Sequence, residues 1–151
     1  MNKFKIGDVV PDFSIQVSTN KSCSLKDFVG KYLVMYFYPK DSTPGCTTEG
    51  ENFRDLHAEF EALGAVVLGV SRDSLKSHEN FKQKMSFPFE LLSDQEELLC
   101  NALSVIKMKN MYGKQVMGIE RSTFIFHNQQ LVKSYRKVKA AGHAEQVLQD
   151  L

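Results

Sequence analysis

No apolar run in this 151-residue chain approaches the roughly 18 residues needed to cross a bilayer. The opening MNKFKIGDVVPDF also lacks the uninterrupted apolar stretch of a secretory leader, so a cytoplasmic protein with no membrane association is expected. Net charge is nearly absent: 19 Lys and Arg against 18 Asp and Glu leave +1, too weak a field to gather a polyanion. The lysines are scattered, with a mild cluster at KSYRKVK, and nucleic acid is not an expected partner. Cysteine is sparse and odd in number. Cys23, Cys46 and Cys100, with long gaps between them, fit neither a disulfide framework nor paired zinc ligands, so at least one thiol should be free. Repeats, linkers, low-complexity tracts, Gly-rich phosphate loops and metal-ligand clusters are missing too. One domain spanning 1–151 with a full core is expected, with no metal and no cofactor.

What is present is a succession of short elements. Residues 33–38 form a near-continuous apolar run rich in β-formers, the pattern of a strand covered on both faces. After a polar loop, TTEGENFRDLHAEFEALG places Phe53, Leu56, Phe60 and Leu63 at helical spacing, with Gly64 as the C-cap. AVVLGV reads as a second buried strand, completing a βαβ unit. Residues 74–84 read as a more polar helix and SDQEELLCNAL as another, with Ser93 as its N-cap. RSTFIF and QLVKSYRKV flank the turn HNQQ as an antiparallel hairpin, and residues 142–151 as a final short helix. The order describes an α/β sandwich of thioredoxin-like organisation.

The segment YFYPKDSTPGCTTE joins the first strand to its helix. Pro39 ends the strand because it cannot donate to a sheet ladder, and Pro44 suits the first helical position. Thr43 is then the N-cap and Cys46 lies in the first turn. A thiolate there faces unpaired N–H groups and the positive end of the helix dipole. Seven residues separate Cys46 from Phe53, so the sulfur heads the inward stripe, in a recess beyond the carboxyl ends of parallel strands. A cysteine packed as a small hydrophobe beside an ordinary threonine cap would give the same local pattern.

YFYPKDSTPGCTTE followed by FRDL, with LGVSRDS, LLSD and GIERSTFIF downstream and GDVVPDF near the start, resembles the thiol-dependent peroxidases called peroxiredoxins. The likeness is greatest to their bacterioferritin comigratory protein or Q-type subfamily. The resemblance implies a thioredoxin-like sandwich, a mixed central sheet with helices on both faces, and a monomer. It also implies reduction of hydrogen peroxide and alkyl hydroperoxides through a sulfenic acid. By motif, Cys46 matches the peroxidatic cysteine, Thr43 the threonine whose hydroxyl contacts peroxide, and Pro39 the proline that shields the pocket. Arg121 matches the active-site arginine, and Glu49 the group expected to brace it. Without that likeness, Arg121 would read as a surface partner of Glu120. Arg54, eight residues beyond Cys46, should point elsewhere.

The chain departs from the family where the sulfenic acid must be resolved. Many relatives carry a second cysteine five residues on, where this chain has Glu51, and residues 74–85 contain none. Cys100, beside Leu98 and Leu99, and Cys23, alternating with Leu25 as on one face of a strand, read as buried. A one-cysteine cycle completed by an external thiol is expected, with thioredoxin, glutathione or a glutaredoxin as reductant. His57, His78, His127 and His143 read as solvent-facing or core-edge residues. A disulfide reductase would need C-x-x-C, but position 49 is Glu49, and no histidine is tied to Cys46 as a hydrolase requires. A non-catalytic binding or chaperone module on the same fold is the alternative from another class.

Overall fold

The computed structural model describes residues 5–9, 14–18, 21–28 and 30–151; residues 10–13 of the GDVVPDF stretch lie outside it. Two short strands, β1 (Ile15–Ser18) and β2 (Lys21–Cys23), pair antiparallel, and a 3-10 turn at Leu25–Phe28 follows. The alternation expected through Leu25 therefore ends at Cys23, because the Ser24 amide donates to the Asp27 carboxylate and closes the chain into that turn.

The buried run becomes β3 (Tyr32–Phe37), followed by α1 (Pro44–Asp55), α2 (His57–Ala62) and β4 (Ala65–Ser71), parallel to β3. Alternation along β3 sends Leu33, Met35 and Phe37 into one apolar cluster and Val34, Tyr36 and Tyr38 into the other. At about 1.5–3 kcal/mol for each fully buried large apolar side chain, this one strand anchors both cores. The helix expected over 47–64 is interrupted at Leu56, whose ψ of 4° leaves α-helical geometry. Phe53 and Phe60 still meet across the break, ring centroids 5.7 Å apart, and Gly64 takes the left-handed φ of 76° that closes α2.

α3 (Leu75–Met85) is capped by the Ser74 hydroxyl, which accepts from the Ser77 amide. It returns the chain to β5 (Glu90–Ser93), parallel to β4, a strand too short for its pattern to stand out in the sequence. Ser93 ends that strand and does not cap the next helix, α4 (Leu98–Ala102). Its hydroxyl donates to the Asp73 carbonyl, and Asp94 instead accepts the Leu99 and Cys100 amides. A hairpin unmarked in the sequence reading follows, β6 (Ile106–Met111) and β7 (Lys114–Ile119), turning through Tyr112 and Gly113 at φ of 52° and 80°. Then come β8 (Ser122–His127) and β9 (Gln130–Tyr135), joined through Asn128 and Gln129, also both at positive φ, and α5 (His143–Asp150).

The main sheet runs β5-β4-β3-β8-β9, with β3, β4 and β5 parallel and β8 and β9 antiparallel to their neighbours. Residues of α1, α2, α3 and α5 pack on one face, and those of α4 with β1 and β2 on the other. This is the mixed, helix-flanked thioredoxin-like sandwich. Among the described residues no helix is long and apolar enough to cross a membrane.

Candidate active site

Two strand ends meet where β3 stops. The antiparallel register sets Phe37 opposite Ser122, so the residue before β8, Arg121, emerges at the same end of the sheet as the loop leading to α1. In that loop Thr43 is extended, at φ −86° and ψ 156°, and Pro44 opens the helix. Thr43 is the N-cap by position, but its hydroxyl donates to the Lys40 carbonyl at 2.8 Å and caps no amide. The first-turn amides therefore lack a side-chain acceptor at the end where Cys46 sits.

Cys46 is buried on the inward face with Phe53, as its spacing requires. Its sulfur accepts from Arg121 Nη2 at 3.6 Å, while Arg121 Nη1 donates to Glu49 Oε1 at 2.7 Å. Glu49 follows Cys46 by three residues, so the two project from one side of α1 and a single guanidinium reaches both. Arg121 pairs with Glu49 and not with Glu120, and Arg54 turns away to Asp55 and the Met85 carbonyl. Glu49 is fully buried and its second oxygen has no partner. Burial pushes its carboxyl up from 4.5 to about 7 despite the attraction of Arg121. Arg121, correspondingly, is held more firmly charged by Glu49 and Cys46 in spite of its own partial burial. Pro39 is half-buried at the head of the loop.

The sequence reading passed over two residues here. A Cβ at Gly45 would stand 3.0 Å from Arg121 Nη2, so glycine leaves the guanidinium its place against α1. Asp41 is buried and accepts from Tyr38 Oη at 2.6 Å and Ser77 Oγ at 2.8 Å, with His78 Nδ1 at 2.7 Å. Its own amide donates to Asp73, so Asp41 ties the loop to the segments that follow β3 and β4 and to α3 at once. The signal was available: Asp41 and Asp73 each follow the carboxyl end of a parallel strand, where polar groups of an open α/β sheet converge. Asp41, Asp73 and His78 bring potential ligand atoms within 4.8 Å of one another, but each is already hydrogen-bonded within the protein.

Two histidines expected at the surface or the core edge are buried instead. His78 bridges Asp41 and the Leu92 carbonyl; His143 meets the Thr123 hydroxyl at 2.7 Å. The other two cysteines are buried and unpaired, as expected. Cys23 borders the opposite end of the sheet, near Gly64 and Ala65, and Cys100 belongs to the other face's core. Burial raises both thiols, and Asp94 raises Cys100 further. Beyond Arg121 opens a cleft of about 330 Å³, bordered by Lys107, Lys109, Lys137 and Glu120.

The AhpC/TSA family matches residues 6–135. Peroxiredoxin Bcp of Xanthomonas campestris is 57% identical over 138 residues, covering 91% of this chain and 86% of its own. Peroxiredoxin Bcp of Bacillus subtilis is 48% identical over 148 residues, with 97% and 94% covered. Among solved structures, that of the X. campestris bacterioferritin comigratory protein, studied for alkyl peroxide reduction activity, superposes with a TM-score of 0.85 at 55% identity, covering 91% and 88%. A Xylella fastidiosa PrxQ mutant superposes at 0.91 with 46% identity, covering 97% and 94%. With a thiol at the head of α1 held against the arginine that precedes β8, on a sheet of matching shape and sequence, the chain belongs to the AhpC/TSA family, among the peroxiredoxins of the Bcp or Q type.

Proposed function

We propose that this chain is a thiol-dependent peroxidase that reduces hydrogen peroxide and alkyl hydroperoxides through a sulfenic acid on Cys46. The observation that carries the reading is the single guanidinium of Arg121 joining the Cys46 sulfur to the buried Glu49 carboxylate. Family membership and the alkyl peroxide activity of the X. campestris relative support the substrate class. The proposed machinery comes from one chain, which suits a monomer of one domain.

In the reaction the Cys46 thiolate attacks one peroxide oxygen. An S–O bond forms, the O–O bond breaks, and the departing oxygen takes up a proton to leave as water or alcohol. Sulfur is oxidised by two electrons to the sulfenic acid. Ionisation is a small part of the rate: a thiol of pKa about 8.5 is roughly 3% ionised at neutral pH, so full ionisation yields at most about 30-fold, or ~2 kcal/mol. Enzymes typically reach 10⁶-fold or more. The remainder is assigned to alignment of the O–O bond and stabilisation of the leaving oxygen's charge. Arg121 supplies fixed, permanently charged donors, Thr43 a hydroxyl to contact the peroxide, Glu49 the brace that aims the guanidinium, and Pro39 a shield over the pocket.

The cycle is closed by an external thiol, with thioredoxin, glutathione and a glutaredoxin as the reductants to compare. The test is peroxide consumption coupled to thiol oxidation, with dimedone trapping after one equivalent of peroxide. Wild type should consume peroxide and carry the adduct on Cys46, and Cys46→Ser should do neither while staying folded. Turnover retained by Cys46→Ser ends the assignment.

A further inference from the structure

If Cys46 is the peroxidatic thiol, its sulfenic acid has no resolving partner within the chain. Cys23 and Cys100 are buried, one toward the far end of the sheet and one in the other face's core, and α3 contains no cysteine. The resolving thiol comes from outside, and the surroundings of Arg121 set what can approach.

The cleft of about 330 Å³ beside Arg121 presents Lys107, Lys109, Lys137 and Arg121 itself against one carboxylate, Glu120, with Met108 and Val138 as its apolar lining. Arg121 is already paired with Glu49, so three lysines border the cleft against that one acid, in a chain whose net charge is +1. The β6–β7 hairpin builds this imbalance. Lys107 and Lys109 are two residues apart on β6 and share a face. The Lys109 ammonium donates to the Ile119 carbonyl, and its stem crosses Gly118, where a Cβ would come within 3.3 Å of it. Burial, followed by repulsion from Arg121, lowers the Lys109 pKa. On the other side Lys137 stands at a left-handed φ of 53°, and the next amide, of Val138, donates to the Arg121 carbonyl at 3.0 Å. Like charges gathered in a half-buried recess raise its free energy, and an entering anion relieves that cost.

We propose that this cleft binds a small anionic thiol, a molecule carrying carboxylate beside its sulfhydryl, and presents it to the Cys46 sulfenic acid. This rests on the peroxidase reading above and names the reductant class for the same site. The ligand's thiolate attacks the Cys46 sulfur; an S–S bond forms, the S–O bond breaks, and hydroxide leaves to become water with one proton. A second molecule of the thiol attacks the ligand-side sulfur, releasing Cys46 as thiolate and the ligand as its symmetrical disulfide. Two thiols are oxidised and one sulfenic acid is reduced.

The test oxidises Cys46 with one equivalent of hydrogen peroxide and then mixes in 3-mercaptopropionate, 2-mercaptoethanol or cysteamine, which share a thiol arm and differ in head-group charge. Rates of sulfenic acid loss, normalised to thiolate fraction, should rank anionic over neutral over cationic, with about ten-fold or more between the first two. The advantage should vanish at about 1 M salt, where screening acts within ~3 Å. It should vanish also in the triple variant Lys107→Gln, Lys109→Gln, Lys137→Gln. Equal rates for the three thiols overturn the proposal, as does a preference that survives the triple variant. Should that variant not fold, the salt titration of wild type decides alone. Reduction by thioredoxin with no charge preference among the small thiols also overturns it. If no dimedone-reactive Cys46 forms in the first mixing, the peroxidase reading has failed rather than this one.

Discussion

Arg121 has to hold two acceptors in fixed directions, one through each Nη. A planar fork does this and an ammonium does not. Arg121→Lys should therefore lower the second-order rate constant for peroxide by about a hundred-fold, the scale of losing one oriented donor at a developing charge. Stopped-flow oxidation kinetics at wild-type speed would remove the fork argument. Glu49 leaves a second mark, in stability. Its carboxyl rises from 4.5 to about 7 on folding, so between those values the folded chain keeps a proton the unfolded chain has released. That contribution is present below 4.5 and is lost as pH rises toward 7. His143 acts oppositely: burial, with a smaller push from Arg121, lowers its ring from 6.5 to about 4, so its contribution is lost as pH falls through that range. Glu49→Gln removes the first slope and leaves the second. Its Tm should climb more steeply with pH between 4.5 and 6.5 than that of wild type, and identical slopes would show that Glu49 titrates as an ordinary carboxyl.

At the scale of the element, α1 balances helix stability against room for its partner. Gly45 costs the helix about 0.5–1 kcal/mol relative to alanine, but an alanine Cβ would stand 3.0 Å from Arg121 Nη2. Gly45→Ala should leave Tm unchanged or raised while slowing Cys46 oxidation about ten-fold or more; an unchanged rate constant would show that the guanidinium shifts without consequence. The loop before α1 depends on Asp41 in another way. Removing its carboxylate strands the donors of Tyr38, Ser77 and His78 in a buried setting. Asp41→Ala should cost about 3 kcal/mol in urea unfolding, and a loss under about 1 kcal/mol would mean that these donors find other acceptors.

The whole molecule keeps its three thiols apart. Cys46 belongs to the core on one face of the sheet, and Cys23 and Cys100 to the core on the other. After stoichiometric peroxide, non-reducing peptide mapping should find Cys46 oxidised and no link from it to either neighbour. A Cys46–Cys100 or Cys46–Cys23 disulfide would overturn the external-thiol cycle. The molecule was partly readable in advance. The β3–α1–β4 unit, the Ser74-capped α3, the β8–β9 hairpin and α5 carry local cues, a hydrophobic period with a cap or turn residue at the end. β5 is four residues long and carries no period of its own. The β6–β7 hairpin turns on Tyr-Gly, and its exposed Met108, Val116 and Met117 blur the alternation.

The amino-acid order by itself determined that Cys46 would sit in the first turn of a helix, facing inward: Pro44, the Cys46–Phe53 spacing and the apolar run before the loop act over a few residues. It also determined that no second cysteine would lie near Cys46 along α1 or within α3. Only the tertiary structure decided what faces the sulfur. Arg121 is 75 residues from Cys46, and it arrives there because β8 runs antiparallel to β3 with Ser122 opposite Phe37. Such a register is set by the packing of both sheet faces at once, and no local pattern encodes it.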